Sequence, residues 1–230
     1  MIHQLIFAAP KPGMSEAEFQ RYWLEEHAVR YASKIPQIRR YAVDTRIAEP
    51  GEAEPLWGGV AEIWLADEEE QLASLQTPEF LEGARPDEPR WAAFWRTVVL
   101  DTDTDTVLQG DAAGADRPSV KALVLVKRRE GMSTEAFRRH SRETHAPVVR
   151  RVPGLLGAEQ SFTRDSWYAI SEPPFDAAYH LWFEDAAALR AALRSPEYAA
   201  VEADRKNFVN ERYVHSLALT RHWVIGPEAR

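Results

Sequence analysis

GMSEAEFQRYWLEEHA, residues 13–28, is written again as GMSTEAFRRHSRETHA at residues 131–146. Working outward, the doubling continues on both sides of this stretch. HQLIFAAPKPGMS (3–15) aligns with KALVLVKRREGMS (121–133), and KIPQIRRYAV (34–43) aligns with RVPGLLGAEQ (151–160). GVAEIWLADEEEQLASLQTPEF (59–80) matches AAYHLWFEDAAALRAALRSPEY (177–198), and RTVVLDTDTDTVLQG (96–110) matches YVHSLALTRHWVIGP (213–227). A self-similarity this long makes the repeat, not the whole chain, the unit whose fold must be read. The 230 residues then divide into repeats at 1–109 and 119–230, joined by a Gly-, Ala- and Pro-rich linker at 110–118.

Each repeat has the same rhythm. An aliphatic, alternating run (Ile2 to Ala8; Val120 to Val126) predicts a strand, and a Gly turn follows it. Ser15 with Glu18 three residues later forms a capping box at the start of a helix, with Met14 and Phe19 placed as a hydrophobic staple. Ser133, Met132 and Phe137 repeat that arrangement, but Ala136 takes the place of the glutamate. The helices are expected to stop before Pro36 and Pro153. Strands at RRYAV and VAEIWL follow, with AYHLWF as the second copy's third strand. A broken helical region restarts at Thr77-Pro78 and Ser195-Pro196, each a cap followed by Pro at the first helical position. A fourth strand closes each copy, with a short extra strand (TVL; WVI) expected after it. The sum is βαββαβ, an α+β class with an antiparallel sheet and helices on one face. The other face carries Trp64 and Trp182 and needs a cover. Two copies in one chain predict sheets covering each other as an intramolecular, pseudo-dimeric α+β barrel of two ferredoxin-like repeats.

Composition bounds the function. With no Cys, disulfides, thiolate nucleophiles and cysteine metal sites are excluded. The net charge of −8 argues against a nucleic-acid partner. The acid excess sits in residues 1–109, which hold 10 Lys and Arg against 20 Asp and Glu. The apolar run at the N-terminus has no basic leader, and no stretch reaches membrane-spanning length. These features predict a cytoplasmic protein with no membrane partner, with further homodimerisation left open.

Gly-Met-Ser, Trp23-Leu24-Glu25-Glu26-His27 and Pro36-Gln37-Ile38-Arg39-Arg40-Tyr41 resemble the EthD family of the dimeric α+β-barrel superfamily. The second copy keeps His145-Ala146-Pro147 and Pro153-Gly154-Leu155 but has neither the Trp nor the Tyr. The resemblance implies the fold above. It also implies a range of activities: isomerases, cyclases, cofactor-free monooxygenases, haem proteins and accessory proteins. In similar methylmuconolactone isomerases the histidine and the tyrosine at these positions act on substrate, which points to His27 and Tyr41.

Phe19, Trp23 and His27 fall on one helical stripe, which places His27 beneath the helix. The imidazole recurs as His145 although Trp23 becomes Ser141, so it is kept while its packing changes. A buried imidazole can move a carbon-bound proton while the Tyr41 phenol holds an oxygen. Tyr22, Trp23 and Ile63 are expected to shape the binding wall, with Gln160 as a weaker polar group where Ala158 replaces the tyrosine. The second pocket is expected to be roomier. Pro147 is expected to end or kink the helix just after His145, placing the imidazole near a helix C-terminus, where the dipole would favour its charged form. On the third strand, parity sends Ala61, Ile63 and Leu65 toward the helices and Glu62, Trp64, His180 and Trp182 toward the other sheet. Those last four form a second-choice inter-sheet site, with Glu62 and His180 as an acid–base pair or an ion pair. No metal-ligand spacing occurs, so no metal is expected; no organic cofactor is expected either, with haem ligation by His27 or His145 as the exception. The expected function is proton-transfer chemistry on a small hydrophobic or aromatic carbonyl or lactone compound: isomerase, lyase, cyclase or decarboxylase. The alternatives are a cofactor-free or haem-dependent monooxygenase and a non-catalytic accessory protein that binds a ligand.

Overall fold

The computed structural model of the chain describes residues 1–48, 55–110 and 119–226. Most of the linker (111–118) lies outside the described residues. In the first repeat, β1 (Ile2–Ala8) leads through Gly13, at φ +87°, into α1 (Glu16–Tyr22). The helix widens into a π turn at Trp23–His27 and ends as α2 (Ala28–Arg30). Then come β2 (Arg40–Arg46), β3 (Gly59–Leu65), α3 (Glu68–Ser74), a second π turn (Glu79–Ala84) and α4 (Arg85–Trp91). β4 (Val98–Leu108) closes the repeat. The second repeat runs β5 (Val120–Arg128), α5 (Thr134–His140), a π turn (Ser141–His145), α6 (Ala146–Val149) and β6 (Gly157–Thr163). A short α7 (Asp165–Tyr168) precedes β7 (Ala177–Phe183), α8 (Ala186–Leu193), α9 (Pro196–Phe208) and β8 (Val209–Ile225). The short trailing strands expected after β4 and β8 are instead their continuous ends, so each of these strands is long.

Backbone hydrogen bonds join the strands in the closed order β1-β3-β2-β8-β5-β7-β6-β4, the topology of an α+β barrel. Two compact units divide the chain differently from the sequence repeats. The first comprises residues 1–101 with 219–230, and the second comprises 102–218. The last strands explain the difference: β4 and β8 each begin in one unit and end in the other. Within the first unit, β2 pairs with the end of β8 from Arg46↔Leu219 to Tyr41↔Ile225. Within the second, β4 pairs with β6 from Thr102↔Thr163 to Leu108↔Ala158. Among the described residues no helix is long and apolar enough to cross a membrane.

Local chemistry fixes where the helices start. Ser15 and Glu18 complete the reciprocal box, Glu18 N donating to Ser15 Oγ at 3.3 Å and Ser15 N to Glu18 Oε2 at 3.0 Å. Ser133 keeps only its own half, accepting from Ala136 N at 3.1 Å. Phe19, Trp23 and Ala28 bury one helical face against Tyr41, Val43, Ala61, Ile63 and Leu65 of the first unit's sheet. Each of the large side chains contributes about 1.5–3 kcal/mol by leaving water. The third-strand parity read from sequence holds: the apolar set faces the helices, and Glu62 lies on the opposite face of the sheet. Trp182 is buried and Trp64 half-buried.

Candidate active site

Three strands bring one row of side chains under the first unit's helices. Gln4 on β1 and Tyr41 on β2 both lie opposite Ile63 on β3. With the next row, which contains Ile6 and Ala61, they floor a cavity of about 130 Å³. Trp23, His27, Phe80, Trp91 and Phe94 line it from the helical and loop side. A cavity of roughly 150 Å³ lined by apolar groups holds benzene, so this one suits a single ring of about six atoms.

His27 is the ionisable group that the helix delivers to this wall. The π turn Trp23–His27 widens the backbone there, a distortion that recurs at functional sites. The His27 Nδ1 is 2.9 Å from Oδ2 of the buried Asp87 on α4. A carboxylate only accepts, so Nδ1 carries the proton and the neutral ring keeps its lone pair on Nε2. Asp87 Oδ1 in turn accepts from the Tyr22 hydroxyl at 2.8 Å. Burial pulls the His27 pKa below its ordinary value, and Asp87 opposes that shift without reversing it. The Trp91 ring packs 4.8 Å from the imidazole, centre to centre. Tyr41 is fully buried, and its pKa is pushed up by burial, against a weaker lowering by a hydrogen bond from the Trp23 indole. Because that indole is the donor, the phenol proton remains available for donation.

The structure therefore places Trp23, His27, Tyr41 and Ile63 on one cavity. Tyr22 stands behind the wall as a support for Asp87. Sequence reading missed Asp87 and, at the mouth, Glu88, whose carboxyl is raised by burial against the lowering effect of Arg85. A signal for Asp87 was present in the repeat. Asp87 and Asp204 stand 117 positions apart, each four residues before an aromatic, Trp91 or Phe208.

In the second unit the same cassette returns with a filled space. His145 Nδ1 is 2.8 Å from Asp204 Oδ2, and Asp204 also accepts from His140 at 3.1 Å. The row equivalent to Gln4–Ile63–Tyr41 is Ala122–Leu181–Ala158. One row away, Tyr179 and Gln160 replace the small Ala61 and the apolar Val43. Ser141 Oγ donates to Gln160 Oε1 at 2.8 Å and lies 3.0 Å from the Tyr179 hydroxyl. Tyr179 and Phe208 pack their rings 5.3 and 5.0 Å from His145. The expected roomier pocket is thus corrected: a phenol from the next row takes the space left by the indole. The expected helix end at Pro147 is corrected too. The π turn admits the proline and α6 continues through Val149, so His145 is not at a helix end. Burial lowers its pKa just as it lowers that of His27.

The second-choice residues have partners inside their own units. Glu62 Oε2 meets Arg221 at 2.6 Å and His3 Nε2 at 3.0 Å, and Arg221 also grips Asp44 through two contacts of 3.0 Å. Trp64 stacks on His3 at 4.4 Å. His180 lies 3.0 Å from Ser161 Oγ and stacks on Trp182 at 5.7 Å. Among the described residues no group of three His, Asp or Glu side chains could hold a metal ion.

A family model described as EthD domain matches the chain twice, over residues 11–94 and 129–212. No curated protein matches it in sequence. Among solved structures it is similar to an anthrone oxidase-like protein, at 11% identity over 99% of this chain and 94% of that one, with a TM-score of 0.66. It is also similar to a proposed monooxygenase from Lactobacillus acidophilus NCFM, at 14% identity over 100% of this chain and 97% of that one, with a TM-score of 0.54. An EthD family protein from Bacillus halodurans C-125 is 26% identical over 44% of this chain and 95% of that one, with a TM-score of 0.38. At these identities the first two likenesses show the fold alone.

Proposed function

The chain belongs to the EthD domain family, carrying the domain twice, and on that premise we propose that its first unit is an acid–base catalyst working without an organic cofactor. Its substrate is a compact, ring-sized carbonyl or lactone compound. The observation that carries this reading is the His27–Asp87 pair, whose imidazole lines an apolar cavity that Tyr41 also lines. His27 Nε2 removes a proton from the carbon beside the carbonyl, and the electron pair moves onto the carbonyl oxygen. The Tyr41 hydroxyl donates to that oxygen, and Asp87 stabilises the imidazolium that forms. Where a carbon–carbon double bond adjoins that carbon, as in a β,γ-unsaturated ketone or lactone, the proton returns to the far end of the dienolate, which moves the double bond into conjugation and completes an isomerisation. His145 stands against Tyr179 and Phe208 and serves the packing of the second unit.

Haem does not fit this cavity. A space for one six-membered ring cannot admit a macrocycle of four pyrroles without parting the helix from the sheet. The same deprotonated ligand, met by dioxygen instead of a proton, would enter oxygenation; one of the similar structures is described as a proposed monooxygenase.

The test is deuterium exchange at the carbon next to the carbonyl, followed by NMR across a panel of cyclic ketones and lactones. The wild type exchanges protons faster than buffer, and His27→Gln loses this by about 10²-fold or more. Exchange that survives in His27→Gln would sink the assignment. Oxygen uptake in the same tubes separates oxygenation from isomerisation.

A further inference from the structure

Among the polar groups of the cavity wall that the acid–base reading leaves unused, the Trp91 indole stands out. The indole N–H of Trp91 is buried and has no hydrogen-bond partner among the described residues. Trp91 lines the cavity and packs against His27. Native chains pair nearly all such groups, so an orphaned donor on a cavity wall needs an acceptor from elsewhere. The other indole there, Trp23, donates to Tyr41. The repeat provides an internal comparison. Phe208 occupies the position equivalent to Trp91 and packs its ring against His145 in the same way, at 5.0 Å. Packing against the imidazole thus requires a ring and not an N–H, and the N–H is present only in the unit with the open cavity.

We propose that Trp91 is a ligand-binding residue whose indole N–H donates to an oxygen of the ligand. The cavity therefore selects a six-membered ring bearing a carbonyl or lactone oxygen over a hydrocarbon of the same shape. With Tyr41 it forms a pair of donors on one oxygen, which draws charge from the carbonyl and acidifies the neighbouring C–H that His27 would meet. The inference rests on the reading of this cavity as the ligand site, but not on the proton-transfer step.

The test titrates the full chain, ¹⁵N-labelled at tryptophan, with cyclohexanone and with methylenecyclohexane, which replaces the oxygen by CH₂. The Trp91 indole resonance, identified by its loss in Trp91→Phe, shifts with the ketone and not with the hydrocarbon. In Trp91→Phe the ketone loses about tenfold in affinity relative to the hydrocarbon. The phenylalanine is the residue the second repeat already uses at this place, and the resonance shift in the wild-type chain gives a readout that no variant's folding affects. A ketone preference that survives in Trp91→Phe overturns the proposal. If that preference disappears only in Tyr41→Phe, the oxygen belongs to Tyr41 and the cavity reading stands without Trp91. If neither compound moves a resonance from the cavity wall, both the cavity reading and this proposal fail.

Discussion

Replacing Asp87 with Asn tests the site at its least replaceable contact. The side chain keeps its size and its carbonyl oxygen, so the His27 Nδ1–H still finds an acceptor. What disappears is the negative charge 2.9 Å from the ring. Hydrogen bonds to charged groups contribute about 1.5–3 kcal/mol where neutral ones contribute about 1, and each 1.36 kcal/mol is tenfold. The ground state, with His27 neutral, loses little. The proton-transfer transition state, in which His27 becomes an imidazolium, loses most of that difference. Asp87→Asn should therefore slow the exchange reaction by about 2- to 30-fold, with ligand affinity within about twofold of wild type. It should also lower the His27 pKa further, because Asp87 is the group that opposes burial there. Asp204→Asn is a control within the same molecule: it should move the His145 resonance in NMR and leave exchange unchanged. An Asp87→Asn rate equal to that of the wild type would refute the charge argument. Equal losses in both variants would refute the assignment of catalysis to the first unit.

Three other outcomes follow from the same contacts. Arg221→Met removes the guanidinium that pairs the buried carboxylates of Asp44 and Glu62 and should cost about 3–5 kcal/mol in urea unfolding; a loss under 1 kcal/mol would mean that the cluster is already compensated. Burial lowers the pKa of both His27 and His145, so the unfolded chain binds more protons than the folded one just below pH ~6.5. Stability should thus fall as pH drops through that region, and the double variant His27→Gln/His145→Gln should flatten the slope; an unchanged slope would remove the two histidines as its source. A methyl added at Gly59 would lie 2.6 Å from the Asp44 carbonyl and 3.2 Å from Trp23. Gly59→Ala should cost about 1–3 kcal/mol and lower the melting temperature by several degrees, and an unchanged melting temperature would show that β2 can yield at that point.

Periodicity and local chemistry determined much of this protein from the sequence alone. The repeat, the capping residues Ser15 and Ser133, the strand parity that separates Ile63 from Glu62, and the burial of His27 beneath Phe19 and Trp23 are all short-range patterns. A helix or strand expresses such patterns wherever it packs. The partner of His27 was different, because Asp87 lies 60 residues away and its helix had to dock before the pair existed. The matching Asp204 gave a sequence trace of it, but only the fold showed that the two aspartates face the two histidines. The second pocket was illegible for a related reason. Ser141 and Ala158 read as lost bulk, yet β7 sets Tyr179 one row over, and its ring enters the space. Pro147 read as a helix end, yet the wider π turn before it leaves room for the ring and lets the helix continue. The long ends of β4 and β8 likewise take their pairing from strands far off in sequence. Side-chain volume and backbone pairing across distant segments are properties of packing, and tertiary structure alone decided them.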